Sequence, residues 1–311
     1  MPDPPDPRSL RLRADAALVA ATIVWGSSFV VVKNVVQASP PVGFVFWRFL
    51  LAAALIAPLA ALRRRTPGLV RDGAVLGLLL AAGMILQVLG QTETTASKAA
   101  FLTGLSVVLT PFAAYVRARK LPSLENGIGI TLASVGFLLL TFPRGGGALN
   151  RGDFLVTACG VVFAFYIVEI GERTASHDSL RLTFVQMATV ALSAGVLRLL
   201  LKSPILSGWP EVAAEARAVA WHGTFLWSVL YLGSIGAVGT FLAQTWAQRH
   251  MSATHAAILF ALEPVAAALL AAWLLGERLG SRGFAGGALV LAGIVASELK
   301  LRRRSESRVE T

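Results

Sequence analysis

The sequence predicts an all-α polytopic membrane protein with ten transmembrane helices, arranged as two inverted five-helix repeats. Three observations lead to this fold class: the composition, the number of long apolar segments and an internal duplication. The chain has 311 residues, of which 55% are hydrophobic and only 14% are charged, and its mean hydropathy is +0.68. Soluble domains carry about 25% charged residues, so a soluble fold of this composition would leave too much apolar surface in water.

Ten segments are long and apolar enough to cross a bilayer, since a spanning helix needs about 20 mostly apolar residues. They are separated by clusters of Pro, Gly and basic residues at 39–41, 63–67, 119–122 and 143–147, which belong outside lipid-exposed hydrocarbon. The predicted helices are 14–34, 41–62, 72–92, 96–116, 124–142, 152–171, 180–201, 223–247, 253–275 and 281–299.

The two halves of the chain resemble each other in register. The later helices of each half match at a shift of 157 residues (244 − 87), and the earlier helices match at a shift near 138 (186 − 48). The difference lies in the segment 203–222, which we expect to form an outer loop or a short interfacial helix anchored by Trp209 and Trp221. The matched pairs are Gln87 with Gln244, Gln91 with Gln248, Gly129 with Gly286, Gly136 with Gly293, Phe46 with Phe184 and Arg48 with Gln186.

The duplication predicts the domain organisation. Because each repeat has an odd number of helices, the second repeat must enter the membrane from the opposite side to the first, as in many secondary transporters. We expect an N-terminal tail at 1–13, a first repeat at 14–145, a second repeat at 146–300 and a C-terminal tail at 301–311. The N-terminal tail lacks an apolar core followed by a cleavage site, so no cleaved signal peptide is expected.

Basic residues predict the orientation, because cytoplasmic loops hold the excess of Lys and Arg. With the N-terminus inside, the cytoplasmic segments hold 18 of the 28 basic residues and the outer segments hold nine, while Arg48 lies within a helix. Both termini are therefore expected in the cytoplasm.

Several functional classes are disfavoured. The net charge is +11, but the basic residues form short clusters between apolar segments, where they orient helices rather than bind nucleic acid. Cys159 is the only cysteine, so neither an intrachain disulfide nor a paired-cysteine metal site can form. HExxH, GxxxxGK[ST] and GxSxG motifs are absent. The sequence thus predicts no catalytic residues, metal site or cofactor, and no enzymatic activity.

Four segments carry a resemblance to a known family. They are WGSSF at 25–29, FWRFLLA at 46–52, QTETTASKAAFL at 91–102 and EPVAAALLAAWLLGERL at 263–279. In their order and repetition they resemble the drug/metabolite transporter superfamily, and within it the EamA-type exporters with ten helices in two repeats. The resemblance implies a carrier in the bacterial inner membrane that exports small metabolites, often compounds related to amino acids.

The first repeat departs from the pattern of the second. Where the second repeat has Glu263 and Pro264, the first has Ser106 and Val107, and it carries Pro111 instead. We therefore expect the helix break of the first repeat to be displaced by about one turn, since proline removes a helical hydrogen bond and clashes with the preceding turn.

Charged residues at mid-membrane are the first candidates for function. A charge there costs about 2.5–3.5 kcal/mol on insertion scales, so it usually faces the bundle interior or a wet cavity. Arg48, Glu169 and Glu263 are the deepest. Arg48 lies about 10 Å into the second helix and offers a bidentate site for a substrate carboxylate. Alternatively, Arg48 snorkels to the outer headgroups or pairs with an acid such as Glu93.

Glu263 and His255 form a second group on the ninth helix. Glu263 precedes Pro264, where freed carbonyls can line a cavity, and it is a candidate for a coupling proton or a substrate amine. Alternatively, its carboxyl caps the broken helix. His255 lies eight residues earlier on the same face and extends a polar stripe, unless it is simply solvated at the helix end.

Uncharged side chains complete the predicted binding site. The i, i+4 pairs Gln87 with Gln91 and Gln244 with Gln248 each present amides to one side, either to a cavity or as interhelical hydrogen-bonding partners. Aromatic and hydroxyl groups at matching zones of the first and sixth helices would hold a flat or apolar substrate, although Trp and Tyr also anchor interfaces. These residues are Trp25, Ser27, Ser28 and Tyr166.

Small residues on the fifth and tenth predicted helices indicate close helix packing, with dimerisation as the alternative. They are Gly127, Gly129, Ala133, Gly136, Gly283, Gly287 and Gly293.

Taken together, these features predict a secondary transporter that works by alternating access, with a midplane cavity lined by helices 1, 3, 4, 6, 8 and 9. Its expected partners are a small metabolite, a coupling proton and membrane lipids, and the chain acts as a monomer or a homodimer. Two alternatives stay open at this point: a passive facilitator or channel, and a membrane-embedded enzyme or assembly module.

Overall fold

The computed structural model describes residues 7–119, 124–141, 150–202, 210–219, 221, 223–263, 265–266 and 281–307. These residues form helices and connecting turns and contain no β-strand. The α-helices are α1 (Pro7–Ala38), α2 (Pro41–Ala61), α3 (Leu69–Glu93), α4 (Ala96–Ala118), α5 (Leu124–Thr141), α6 (Arg151–Arg173), α7 (Ser179–Leu201), α8 (Pro210–Glu215), α9 (Gly223–Gly233), α10 (Thr240–Ala247), α11 (Ala253–Phe260) and α12 (Ser281–Ser307).

The structure confirms the all-α polytopic fold class. Seven helical stretches among the described residues are long and apolar enough to cross a membrane: α1 to α4, α6, α7 and the continuous stretch Gly223–Ala247. Helices α5, α11 and α12 coincide with the other three predicted spans. The ninth predicted span, 253–275, continues beyond the described residues, so the count of ten spans stays a prediction.

One predicted helix contains a change of hydrogen-bonding pattern that the sequence pattern did not indicate. Between α9 and α10 the stretch Ser234–Gly239 is a π-helix, in which each backbone bond spans five residues instead of four. A π-turn frees or redirects carbonyl oxygens, and here those of Leu232 and Gly236 accept hydrogen bonds from Arg48. The widened turn is thus tied to α2.

Proline affects the two repeats differently. Helix α11 ends at Phe260, four residues before Pro264, which is the residue whose carbonyl a proline ring clashes with. Pro264 itself lies outside the described residues. The expected displaced break in the first repeat is wrong, because α4 is continuous through Pro111. Proline is tolerated in membrane helices where side chains or neighbouring helices satisfy the carbonyl that it frees, which here belongs to Val107. The Thr110 hydroxyl donates to the adjacent carbonyl of Ser106 in the same turn.

Helix packing follows an exchange of the two repeats. Helix α3 packs against α6, and its counterpart α10 packs against α1; α4 packs against α6 as α11 packs against α1. In three further contacts a helix packs against its equivalent in the other repeat: α2 with α7, α5 with α12, and α4 with α11. These contacts between the first and second repeats therefore recur with the roles reversed. This is the pattern expected for a pseudo-twofold axis between the repeats.

The pair α5 and α12 makes a backbone-to-backbone contact through matched glycines. A Cβ added to Gly136 would lie 2.5 Å from the Gly286 carbonyl oxygen, and one added to Gly293 would lie 2.6 Å from the Gly129 carbonyl oxygen. Only glycine allows such an approach. Gly127 differs from the predicted packing set, because a Cβ there would meet nothing within 4 Å.

The segment between α7 and α9 contains the short helix α8, which docks on the start of α2. The Glu215 carboxylate accepts hydrogen bonds from the backbone N–H groups of Val42 and Gly43 and lies 3.1 Å from Arg198. Burial raises the pKa of Glu215, against the opposing effect of these partners. Trp221 packs edge-on against Trp47 at 4.6 Å between ring centroids, while Trp209 lies outside the described residues.

The glycine contact gives a stability prediction with an internal control. Gly136→Ala should destabilise the protein by about 1–3 kcal/mol, since the new methyl group overpacks a backbone contact. Gly127→Ala, nine residues earlier on the same helix, should be neutral or stabilising by up to about 1 kcal/mol through helix propensity. Melting temperatures in detergent measure both. Equal destabilisation by the two variants would contradict the packing described for α5 and α12.

Candidate functional site

A cavity between the helices gathers polar side chains from several of them, including one cationic and one acidic group. It is lined by residues from α1, α2, α3, α4, α6, α10 and α11, together with Glu263 just after α11. The six predicted helices therefore contribute, and α2 joins them through Arg48. The lining residues are Trp25, Ser28, Phe29, Arg48, Met84, Gln87, Thr103, Ser106, Phe163, Tyr166, Ile167, Phe241, Gln244, Phe260 and Glu263.

The lining consists of repeat-related pairs. Residues of α1 correspond to residues of α6 at the shift of 138. Residues of α3 and α4 correspond to residues of α10 and α11 and to Glu263 at the shift of 157. Both members of seven pairs line the cavity, and Arg48 is the one lining residue whose counterpart, Gln186, does not. The pairs are Trp25 with Phe163, Ser28 with Tyr166, Phe29 with Ile167, Met84 with Phe241, Gln87 with Gln244, Thr103 with Phe260, and Ser106 with Glu263.

Arg48 is held rigidly at the cavity wall. Its side chain is only 3% exposed, and its Nε and one terminal nitrogen donate to the carbonyl oxygens of Leu232 at 3.1 Å and Gly236 at 3.0 Å. The guanidinium also lies 5.1 Å from the ring centroid of Phe49, within cation–π range. Neither an outer headgroup position nor a pair with Glu93 fits this geometry. A guanidinium has five N–H donors, so donors remain for an anionic group in the cavity.

Polar residues of the cavity wall are hydrogen-bonded to neighbours within their own repeat. The Tyr166 hydroxyl donates to Gln186 Oε1 at 2.8 Å, so the residue that replaces Arg48 in the second repeat binds a cavity residue. Gln87 Nε2 donates to the Thr103 hydroxyl at 3.3 Å. These bonds satisfy polar groups that lipid cannot.

Aromatic rings form the apolar part of the wall. Trp25 packs against Phe241 at 5.3 Å and against Phe260 at 5.5 Å between ring centroids. Tyr166 lies 6.4 Å from both Phe163 and Phe241. Such tilted and edge-on pairs are the favoured aromatic geometries. The cavity therefore combines one cationic and one acidic side chain with amides, hydroxyls and an aromatic surface.

The structure brings seven of the predicted site residues to this cavity and places three elsewhere. Gln91, Gln248 and His255 do not line it. Gln248 accepts from Gln244 at 2.9 Å and donates to the Ile167 carbonyl at 2.9 Å, which makes it an interhelical link. Its counterpart Gln91 is fully buried, and its side-chain amide has no hydrogen-bond partner among the described residues.

Two further expectations change on inspection of the structure. His255 is not solvated: its side chain is 3% exposed and its Nε2 lies 3.1 Å from Asp15. Glu169 is not a mid-membrane charge, because it lies near the end of α6 and forms ion pairs with Arg117 and Arg173. Hydropathy windows cannot locate a charge along a helix to better than a turn, and basic partners from α4 are distant in the chain.

Eight lining residues were not among the sequence candidates: Phe29, Met84, Thr103, Ser106, Phe163, Ile167, Phe241 and Phe260. Most are apolar, so nothing in their type distinguishes them from core residues. The repeat shift is the signal that would have found several of them, since each predicted residue that lines the wall, except Arg48, has its counterpart in the wall.

Comparison with known proteins gives the family. The sequence profile of the EamA-like transporter family matches the chain twice, at residues 12–142 and 150–298. The chain belongs to the EamA-like transporter family. Together with its apolar helices, this membership makes the protein a multi-pass membrane transporter of small molecules, built from two repeats.

Similar proteins carry transporter names. An uncharacterized transporter of Archaeoglobus fulgidus is 26% identical over 94% of this chain and 87% of its own length. A probable terminal-alkyne amino-acid exporter of Streptantibioticus cattleyicolor is 27% identical over 94% of this chain and 95% of its own length. The inner membrane transporter YedA of Escherichia coli is 27% identical over 85% of this chain and 83% of its own length.

A solved crystal structure shares the fold of this EamA-like transporter. It superimposes with a TM-score of 0.71 over 96% of this chain and 99% of that chain, at 19% sequence identity. The family match and the apolar helices make this a multi-pass membrane protein, and the similar Escherichia coli protein is named for the inner membrane.

The Tyr166–Gln186 bond gives a prediction for the cavity wall. Tyr166→Phe should destabilise the transporter by about 1–3 kcal/mol, because it leaves a buried amide oxygen without a donor. Tyr115→Phe, whose ring is exposed at the end of α4, is the matched control and should change stability by less than about 0.5 kcal/mol. Thermal unfolding followed by tryptophan fluorescence distinguishes the two. An unchanged midpoint for Tyr166→Phe would contradict the hydrogen bond.

Proposed function

We propose that this EamA-like transporter is a secondary carrier that exports a small zwitterionic metabolite of amino-acid type by alternating access. The observation that carries the proposal is the cavity itself, whose wall is made of repeat-related pairs around the interface of two repeats. A site built equally by both repeats can be presented to either side of the membrane when the repeats exchange conformations.

The charged groups of the wall match the two ends of an amino acid. Arg48 is fixed by two backbone carbonyls and keeps free donors, which suit a carboxylate because guanidinium and carboxylate form paired, charge-assisted hydrogen bonds. Glu263 supplies the opposite charge for an ammonium group. Gln87 and Gln244 add amides from symmetry-related positions. The name of the similar Streptantibioticus cattleyicolor protein, a probable amino-acid exporter, supports this substrate class.

The aromatic wall suits the remainder of such a substrate. Trp25 packs against both Phe241 and Phe260, so the three rings present a continuous apolar surface. An aliphatic or flat side chain would gain about 25 cal/mol for each Å² of apolar area that it buries there. The combination favours a compact amino-acid-like compound over a fully charged or a fully apolar one.

Export against a gradient requires an energy source. The sequence has no GxxxxGK[ST] motif for a nucleotide phosphate, so we propose coupling to the proton gradient. Glu263 holds the substrate ammonium in the loaded carrier and a proton in the returning carrier, since both neutralise the same carboxylate. The cavity is lined by one chain, so a monomer is sufficient for transport. The excess of basic residues in the expected inner loops supports a cytoplasmic position for both termini.

Substitution of the two charged cavity residues tests the substrate assignment. Arg48→Gln, which installs the residue found at the equivalent position 186, and Glu263→Gln should each reduce amino-acid flux by about 10- to 100-fold. Loss of a hydrogen bond to a charged group costs about 1.5–3 kcal/mol, and about 1.4 kcal/mol corresponds to a factor of ten. Radiolabelled substrate flux in proteoliposomes measures the effect.

The control for this pair is Glu172→Gln, which removes a carboxyl of similar type that pairs with Arg117 outside the cavity and should keep flux within about twofold. The residual flux of Glu263→Gln should also no longer respond to a pH gradient, because a glutamine amide takes up no proton in this range. If Glu263→Gln kept its full pH-driven flux in a correctly folded protein, the proton role would be wrong.

A cysteine in the cavity wall tests alternating access. In a Cys159→Ala background, Met84→Cys places one thiol in the lining. We expect an impermeant maleimide to label it from either face of the membrane, with substrate changing the two rates in opposite directions. A thiol reachable from one face only, with or without substrate, would exclude alternation.

A further inference from the structure

An ion pair and a histidine–carboxylate contact lie at opposite ends of the helix bundle. Lys98 Nζ, at the start of α4, lies 3.1 Å from Asp153 Oδ2, at the start of α6. His255 Nε2, at the start of α11, lies 3.1 Å from Asp15 Oδ1, near the start of α1. Helices α4 and α6 begin on the outer side of the predicted topology, whereas α1 and α11 begin on the inner side.

The two pairs occupy equivalent positions in the repeats. Lys98 corresponds to His255 at the later shift (98 + 157 = 255), and Asp15 corresponds to Asp153 at the earlier shift (15 + 138 = 153). The surrounding backbone is equivalent as well. The Thr95 hydroxyl caps α4 by accepting from the N–H of Lys98, and the Ser252 hydroxyl caps α11 by accepting from the N–H of His255.

Each pair closes one end of a cavity-lining helix pair. Helices α4 and α6 carry Thr103 and Phe163 in the wall, and α1 carries Trp25. Thr103 follows Lys98 by five residues, or about 7.5 Å along the helix, and Trp25 follows Asp15 by ten residues, or about 15 Å. The pairs therefore lie between the cavity and the two membrane faces.

The environment of the pairs makes them sensitive to hydration. Asp153 is 2% exposed and His255 is 3% exposed, whereas Lys98 and Asp15 are about one-fifth exposed. A buried charge is costly unless it is paired or reached by water. When the helices separate, water reaches the polar groups and can replace the partner of each. When the helices close, water is expelled, and each buried group then needs its partner. Each pair is thus stable in the closed form of its own end.

The outer end has additional bonds that depend on the same closure. The Thr94 hydroxyl donates to Asp153, and Lys33 Nζ reaches from α1 to the carbonyl oxygens of Gln91 and Thr94 at the end of α3, at 2.7 Å each. Cations suit carbonyls at a helix C-terminus because the helix dipole is negative there. The contacts of Asp153 and Lys33 therefore join α1, α3, α4 and α6 at the outer end.

We propose that Lys98–Asp153 is an outer latch and Asp15–His255 an inner latch, and that the two open alternately during transport. This assignment rests on the proposed alternating-access function and adds to it the residues that hold each end closed. Both latch pairs are formed together in this structure. The latches occupy equivalent positions in the two repeats. When the repeats exchange conformations, each latch therefore takes the state, open or closed, that the other had before.

The test uses the Met84→Cys reporter in the Cys159→Ala background, reconstituted in vesicles of known orientation. Lys98→Gln and Asp153→Asn should raise the labelling rate from the outer face by about tenfold relative to that from the inner face. Asp15→Asn and His255→Gln should shift the ratio by a similar factor in the opposite direction. Couplings of this kind commonly amount to factors of about 5–150.

Conservative variants separate latch function from folding. His255→Lys places in the inner latch the residue that the outer latch uses, and Lys98→Arg keeps the outer charge; both should keep the unmodified labelling ratio. If the four neutralising variants shifted the ratio in one common direction, or did not shift it, while the parent reporter was labelled from both faces, the latches would be wrong and alternating access would stand. A parent reporter labelled from one face only would overturn the proposed function itself.

Discussion

The constraint that organises this molecule is the absence of hydrogen-bonding partners in the hydrocarbon of the bilayer. Helices of this composition can cross lipid only if their few polar side chains turn inward and find partners in the protein or in a wet cavity. Arg48 meets the constraint through two carbonyls of a π-helical turn, and Tyr166 meets it through Gln186. The cavity forms where the remaining polar groups gather.

The duplication of the chain determines where the polar cavity lies. When two similar repeats pack with their roles exchanged, each inward-facing residue of one repeat lies opposite its counterpart in the other. The wall of the cavity follows this rule for seven pairs. The two charged residues of the wall have uncharged counterparts: Arg48 corresponds to Gln186, and Glu263 corresponds to Ser106. A symmetric scaffold with an asymmetric charge pair can present the same site to both faces and still bind an asymmetric substrate.

Two kinds of contact join the repeats: close backbone contacts at glycines, and side-chain pairs at the two ends of the bundle. The backbone contacts of Gly136 and Gly293 join α5 to α12 without polar side chains, which suits a contact that stays in place. The side-chain pairs at the two ends join helices through side chains whose partners water can replace. The glutamines show a related asymmetry, since Gln248 is bonded to α6 while its counterpart Gln91 is buried with its amide unpartnered among the described residues. The inner end thus has a link that the outer end lacks.

The sequence by itself determined the fold class, the repeats, the helices that line the cavity and several cavity residues, because hydropathy, loop charge and repeat register are local or additive along the chain. It placed Gln87, Gln244 and Tyr166 near the cavity through their repeat positions. Only the tertiary structure decided that Glu169 pairs with Arg117, that α4 is continuous through Pro111, that Arg48 is held by a π-turn and that His255 meets Asp15. Each of these depends on the distance and angle between side chains far apart in the chain, which helix packing sets and which neither periodicity nor composition records.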